Sequence, residues 1–216
     1  LWVARVTLAE SLGFLIPMSA MAVCSVLRCP PVVTWVVVAV SGAGEGALLG
    51  FGQATALRRS LGGWPVSCWV AATAAAAVLA WAIGMAPSSL ADLGVALDIA
   101  QPMTMVYLFL GGVVILTSIP VAQFTVLVGR VDRAWRWVPI SAAAWLAGVA
   151  FTAIPGPFVD ERTSIPVLVA CFVAAGLAMA LTVATATGVG MQRCCGVINE
   201  RPSAMNCWPA RITEAR

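Results

Sequence analysis

The sequence contains no histidine and no lysine, and charged residues make up only 10% of its 216 positions. The first absence removes Ser/His hydrolysis, phosphate transfer through histidine and histidine-ligated zinc. The second removes the P-loop lysine and Schiff-base chemistry. Scarcity of charge goes further, because a soluble globular domain devotes about a quarter of its residues to it, whereas here 61% are hydrophobic. The solvent that suits this composition is lipid. Paired carboxylates at catalytic spacing are missing from the apolar stretches, and nothing arranges Cys, Arg or the scattered acids into a catalyst. The expectation is a non-enzymatic membrane protein without cofactor or metal site, and with no nucleic-acid partner.

A spanning helix needs roughly 20 mainly apolar residues, and the chain offers six such stretches, about 3–27, 32–57, 65–86, 103–128, 136–155 and 165–191. The fold class read from this is all-α, a polytopic transmembrane bundle of residues 1–191 followed by a polar tail, 192–216. The first stretch resembles a signal peptide, with Arg5 ahead of an apolar run and Ala20-Met-Ala22 as a cleavage-like site. Because the run continues to Leu27 and is interrupted by Glu10, it reads better as a span. A lipoprotein reading of Met21-Ala-Val-Cys24 is weaker, since the residue before the cysteine should be small.

All twelve basic residues are arginine, a bias that suggests a GC-rich bacterial genome. Short loops rich in Arg stay on the cytoplasmic side. Arg5, Arg58, Arg59, Arg130, Arg133, Arg136 and the tail arginines fall on one side of a six-span chain, and only Arg28 and Arg162 on the other. Both termini are therefore expected in the cytoplasm of a bacterial inner membrane, with Asp92, Asp98, Asp160 and Glu161 facing out. Trp prefers the headgroup level, which would place Trp2, Trp64, Trp69, Trp135 and Trp137 at the cytoplasmic interface and Trp35 near the outer one. Trp81 and Trp145 are deeper. Seven cysteines at irregular spacing form neither a disulfide framework nor a zinc site, and each reads as an unpaired thiol packed like a small apolar residue. A bridge among Cys24, Cys29 and Cys171 is conceivable.

What is there is a hairpin written twice. Gln53-Ala-Thr55-Ala-Leu57 returns as Gln123-Phe-Thr125-Val-Leu127, and Trp69-Val-Ala-Ala-Thr-Ala-Ala-Ala returns as Trp137-Val-Pro-Ile-Ser-Ala-Ala-Ala. Pro87 and Pro155 close the two copies at the same distance from those tryptophans. Ordered matches offset by about 70 residues indicate an internally repeated domain of parallel hairpins. A fainter third copy would be split across the termini, because Trp2-Val-Ala opens the first span as Trp69-Val-Ala opens the third. Between spans three and four, Ser89-Leu-Ala-Asp92 resembles a capping box, so residues 87–102 read as a short surface helix or a plain connector.

Gly42, Gly46, Gly50 and Gln53 fall within an arc of roughly 80° at about 100° per residue, a small-residue stripe of the kind that lets a second helix approach closely. Glu45 lies near the middle of the same span, where translocon scales charge about 2.5–3.5 kcal/mol for Asp, Lys or Arg. It is either a proton or cation site facing a polar cavity, or a neutral glutamic acid donating a hydrogen bond to a neighbouring helix. Its counterpart in the second copy is Ile115. Glu10 reads first as a snorkelling ion pair with Arg5, and otherwise as a second acid on a path with Glu45. Gln53 and Gln123 lie at matched depth, where their amides either pin the hairpins together or line a shared site. Thr55 and Thr125 lie about 200° round from them and are expected to bond to their own helices. The clusters at Arg58 and Arg59 and at Arg130, Arg133 and Arg136 suit anionic lipid headgroups, each charge contributing on the order of 1 kcal/mol.

The run Gly-Ala-Leu-Leu-Gly50-Phe-Gly-Gln53 through Leu57-Arg58-Arg59, followed by Trp69-Val-Ala-Ala-Thr, resembles a group of uncharacterised bacterial integral membrane proteins, many of them actinobacterial. The resemblance covers about residues 42–155. In the second copy Pro120 replaces Gly50, and a single Arg130 follows the leucine. It implies a bacterial inner-membrane setting and carries no activity. The function expected is conduction or transport of a small solute or ion with Glu45 at its centre. The alternative is a structural or regulatory subunit that packs against itself or a membrane partner.

Overall fold

The computed structural model describes residues 1–61, 63–95, 97–159 and 163–194, the side chains at 59–61 and 165 excepted. Six α-helices carry it: α1 (Trp2–Val26), α2 (Pro31–Leu61), α3 (Val66–Asp92), α4 (Pro102–Leu127), α5 (Trp137–Ala153) and α6 (Ile165–Cys194). Single 3-10 turns stand at Ala134–Arg136 and Gly156–Phe158. All six helices are long and apolar enough to cross a membrane, and the described residues contain no strand. The chain is a multi-pass helical membrane protein. Its outer faces carry exposed apolar side chains such as Leu8, Leu15, Phe109 and Phe172, as a lipid-facing surface requires.

The helices form a closed ring. Each packs on the next in sequence, and α6 returns to pack on α1. Since the ring has an even number of antiparallel neighbours, the starts of α1, α3 and α5 lie at the same end as the finishes of α2, α4 and α6. This end carries Arg5, Arg58, Arg59, Arg130, Arg133 and Arg136 and is called the Arg end below.

Glycines set the closest approaches. A Cβ on Gly46 would lie 2.7 Å from the Thr73 carbonyl oxygen and 2.8 Å from Ala74 Cα, and one on Gly50 would lie 3.0 Å from Val70 Cα. The stripe Gly42, Gly46, Gly50 therefore faces α3 of the same chain, with Gly42 under the Trp81 ring. Gly13 brings the α1 backbone onto Glu45 of α2, and Gly148 brings α5 onto Val183 and Met179 of α6.

Three expectations change. Pro87 does not end α3, which continues to Asp92. Residues 89–92 form its last turn rather than the start of a surface helix, because proline's fixed φ suits a helix and the loss of one N–H is tolerated in a spanning segment. Trp69 and Trp137, which stand in the first turns of their helices at the Arg end, do not turn their rings outward: both are fully buried inside the ring. The cysteines divide. Cys24, Cys29, Cys171 and Cys194 are free thiols, so no bridge joins the first three, while Cys68 is disulfide-bonded. Cys195 and Cys207, with most of the tail, lie outside the described residues, as do Asp160, Glu161 and Arg162.

Candidate functional site

The interior of the ring is built in layers. At the Arg end, Leu57, Trp64, Trp69, Leu127, Val131, Trp137, Met191 and Cys194 form one buried apolar cluster. Its tryptophans meet ring against ring, with centroids 5.4 Å apart for Trp64 and Trp69 and 5.9 Å for Trp69 and Trp137. This is a plug drawn from α2 through α6.

Above the plug lies a polar layer. Trp69 Nε1 donates to Gln53 Oε1 at 3.0 Å, and Trp137 Nε1 donates to Gln123 Oε1 at 3.0 Å. Gln123 Nε2 donates to Gln53 Oε1 at 2.7 Å and to Thr73 Oγ1 at 2.9 Å. Thr73 in turn donates to the Trp69 carbonyl at 2.8 Å. Both glutamines are buried, so these amides bond to protein groups and tie α2, α3, α4 and α5 at one depth. Trp2 and Thr187 occupy the matching level between α1 and α6, with Trp2 Nε1 donating to Thr187 Oγ1 at 3.3 Å. Thr55 and Thr125 bond to their own helices, at the carbonyls of Gly52 and Ala122.

A second apolar layer follows. Val6, Leu49 and Ala184 form one cluster, Ala76, Ala77 and Ile119 another, and Trp145 packs against both. Trp145 thus reaches across the ring and separates the glutamine layer from the space beyond.

That space is a cavity of about 480 Å³ bounded by residues from all six helices. Its lining includes Glu10, Glu45, Phe14, Trp81 and Trp145, together with Met85, Val149 and Thr152. Ile115 also lines it, so the second hairpin presents a hydrocarbon where the first presents an acid. Glu45 accepts a hydrogen bond from Trp81 Nε1, and the Trp81 ring leans on Phe14 with centroids 5.9 Å apart.

Glu10 departs from its first expectation. It is 1% exposed, neither carboxyl oxygen has a hydrogen-bond partner, and it does not pair with Arg5. Five residues turn a helix by roughly 140°, so Arg5, which stays partly exposed, and the buried Glu10 lie on different faces of α1. Gly13, one turn along α1, touches Glu45, which brings the two carboxyls close enough to interact electrostatically. The sequence signalled the acids separately. It gave no sign that Phe14, Trp81 and Trp145 would wall the same space, although the unusual depth of the two tryptophans was visible.

None of the arginines whose side chains are described is buried. Arg58 is exposed, Arg130 Nη1 donates to the Val126 carbonyl at 2.7 Å, and Arg136 lies 5.5 Å over the Trp135 ring. Among the described residues no cluster of three or more His, Cys, Asp or Glu is placed to hold a metal ion.

Fold and site together define a six-helix membrane protein with an acid-bearing internal cavity. No family model, curated protein or solved structure matches the chain.

Proposed function

We propose that the protein moves a small solute or ion across a bacterial inner membrane without catalysing a reaction, its two termini in the cytoplasm. The observation that carries this reading is the cavity, to which every helix contributes and whose lining includes two acids. Intramembrane acids are costly and are characteristic of ion pathways and proton relays. The tryptophan plug closes the ring toward the Arg end, an arrangement compatible with access from one side at a time.

The reading extends to the architecture. Two bonds of one kind, Trp69 to Gln53 and Trp137 to Gln123, accord with duplicated hairpins, and Trp2 to Thr187 accords with a third made from α6 and α1. The subunit alternative drew on the glycine stripe and the two glutamines; the stripe packs on α3 of the same chain and the glutamines bond to each other, which favours the transport reading. The exposed Arg58 and the arginines at 130–136 remain suited to anionic lipid.

The test is proton and monovalent-cation flux in proteoliposomes. Wild type should carry a flux that Glu45→Gln abolishes while its thermal unfolding stays cooperative. A wild-type protein that passes nothing under any imposed gradient would remove the transport reading.

A further inference from the structure

The transport reading names no substrate, and the chemistry of the cavity narrows it. An anion is disfavoured, because two acids line the wall and no arginine does. A hydrated solute such as a sugar needs many hydrogen-bond partners, and the walls are almost wholly hydrocarbon and aromatic, with Trp81 Nε1 already engaged by Glu45. An alkali or alkaline-earth ion needs a shell of oxygens, six to eight for calcium, and the cavity supplies two carboxyls and one hydroxyl, that of Thr152. What remains is a charge that needs no oxygen shell, carried on an apolar body.

We propose that the cavity binds a lipophilic organic cation, its charge held by Glu10 beside Glu45 and its body against Phe14, Trp81 and Trp145. The inference rests on the transport reading for its biological sense, though not for its chemistry. Three independent features meet in it. First, Glu10 is buried with both oxygens unpartnered, a condition that protein interiors rarely tolerate, and a ligand cation would supply the missing partner. Second, two acids in one apolar space with no base beside them cannot both carry charge at tolerable cost unless a cation joins them. Third, aromatic faces attract cations, the more so when water is excluded, and three aromatic side chains line the same space as the acids. The volume of about 480 Å³ lies within the range of roughly 300–1,000 Å³ found for small-molecule sites.

The experiment uses the purified full chain in detergent and a pair of probes matched in size and opposite in charge. Tetraphenylphosphonium should bind saturably, read by quenching of tryptophan fluorescence and by equilibrium dialysis. Tetraphenylborate at equal concentration should neither bind nor compete. Glu10→Gln should weaken tetraphenylphosphonium at least about tenfold, corresponding to roughly 1.4 kcal/mol, and the double change Glu10→Gln with Glu45→Gln should abolish saturable binding. Competition by tetraphenylborate would make the space a plain apolar pocket and overturn the proposal, as would unchanged affinity in Glu10→Gln. Because the probe pair acts on wild type, the test does not depend on any variant folding. The two readings fail separately: charge-selective binding without flux sinks transport alone, and flux of protons without binding sinks the organic cation alone.

Discussion

At the scale of single residues, the interior is organised by two amides that serve several donors and acceptors at once. Gln123 accepts from Trp137 and donates to both Gln53 and Thr73, so Gln123→Leu strands the Trp137 N–H and removes a donor from Gln53 and from Thr73. Leaving a buried polar group unpaired costs about 1–3 kcal/mol. The expected outcome is a lower unfolding midpoint in detergent, with altered tryptophan fluorescence, since Trp137 loses its anchor while its neighbour Trp69 keeps its bond to Gln53. Gln123→Glu keeps the acceptor and should fall between. The meeting of the two glutamines was legible from their matched depth. The partners were not: Trp69 and Trp137 carry a general preference for headgroups that does not say their rings turn inward, and no pattern in the sequence selects Thr73. Glu10 was read against the nearest arginine along the chain, whereas angular position on the helix, rather than distance in sequence, decides which groups meet.

At the scale of helices, close approach is bought with missing side chains. Gly46→Ala would push a methyl into the α3 backbone at Thr73 and Ala74, contacts that cannot yield without moving a helix. Overpacking of this kind costs about 1–3 kcal/mol, and a lowered unfolding midpoint is expected. Gly112 of α4 has nothing within 4 Å of where its Cβ would stand, so Gly112→Ala should leave the midpoint unchanged or raise it slightly, alanine being the better helix former. Equal effects at the two positions would refute the α2/α3 contact. The six spans and their order were readable because length and hydropathy suffice for a lipid solvent. Helix ends were less so, as Pro87 illustrates: a residue that stops helices in water is carried through in a membrane segment. The glycine stripe announced a contact without naming α3, since a small face fits any helix of complementary shape.

At the scale of the whole molecule, the ring is dry and aromatic toward the Arg end and hollow beyond Trp145. Cysteines introduced singly into a background whose native cysteines are serine would report this difference. Met85→Cys should react with a water-soluble maleimide in detergent, whereas Leu57→Cys, buried in the plug, should stay unreactive until the protein is unfolded. Equal labelling of both would mean that the plug is open. The cavity itself was beyond sequence reading because most of its wall, from Ile115, Ile119 and Val149 to Met179, consists of residues that look like any other part of a span. Only closure of the ring gives them a common interior. Closure also has a temporal side. In a chain made from its amino end, α1 is made before the other five helices, and one of its two neighbours, α6, after them. Until α6 is made, Glu10 stands on a helix with only one flank covered. Chains that stop short of α6 would therefore display an uncovered acid in the membrane, a mark by which quality-control proteases could tell an unfinished copy from a finished one.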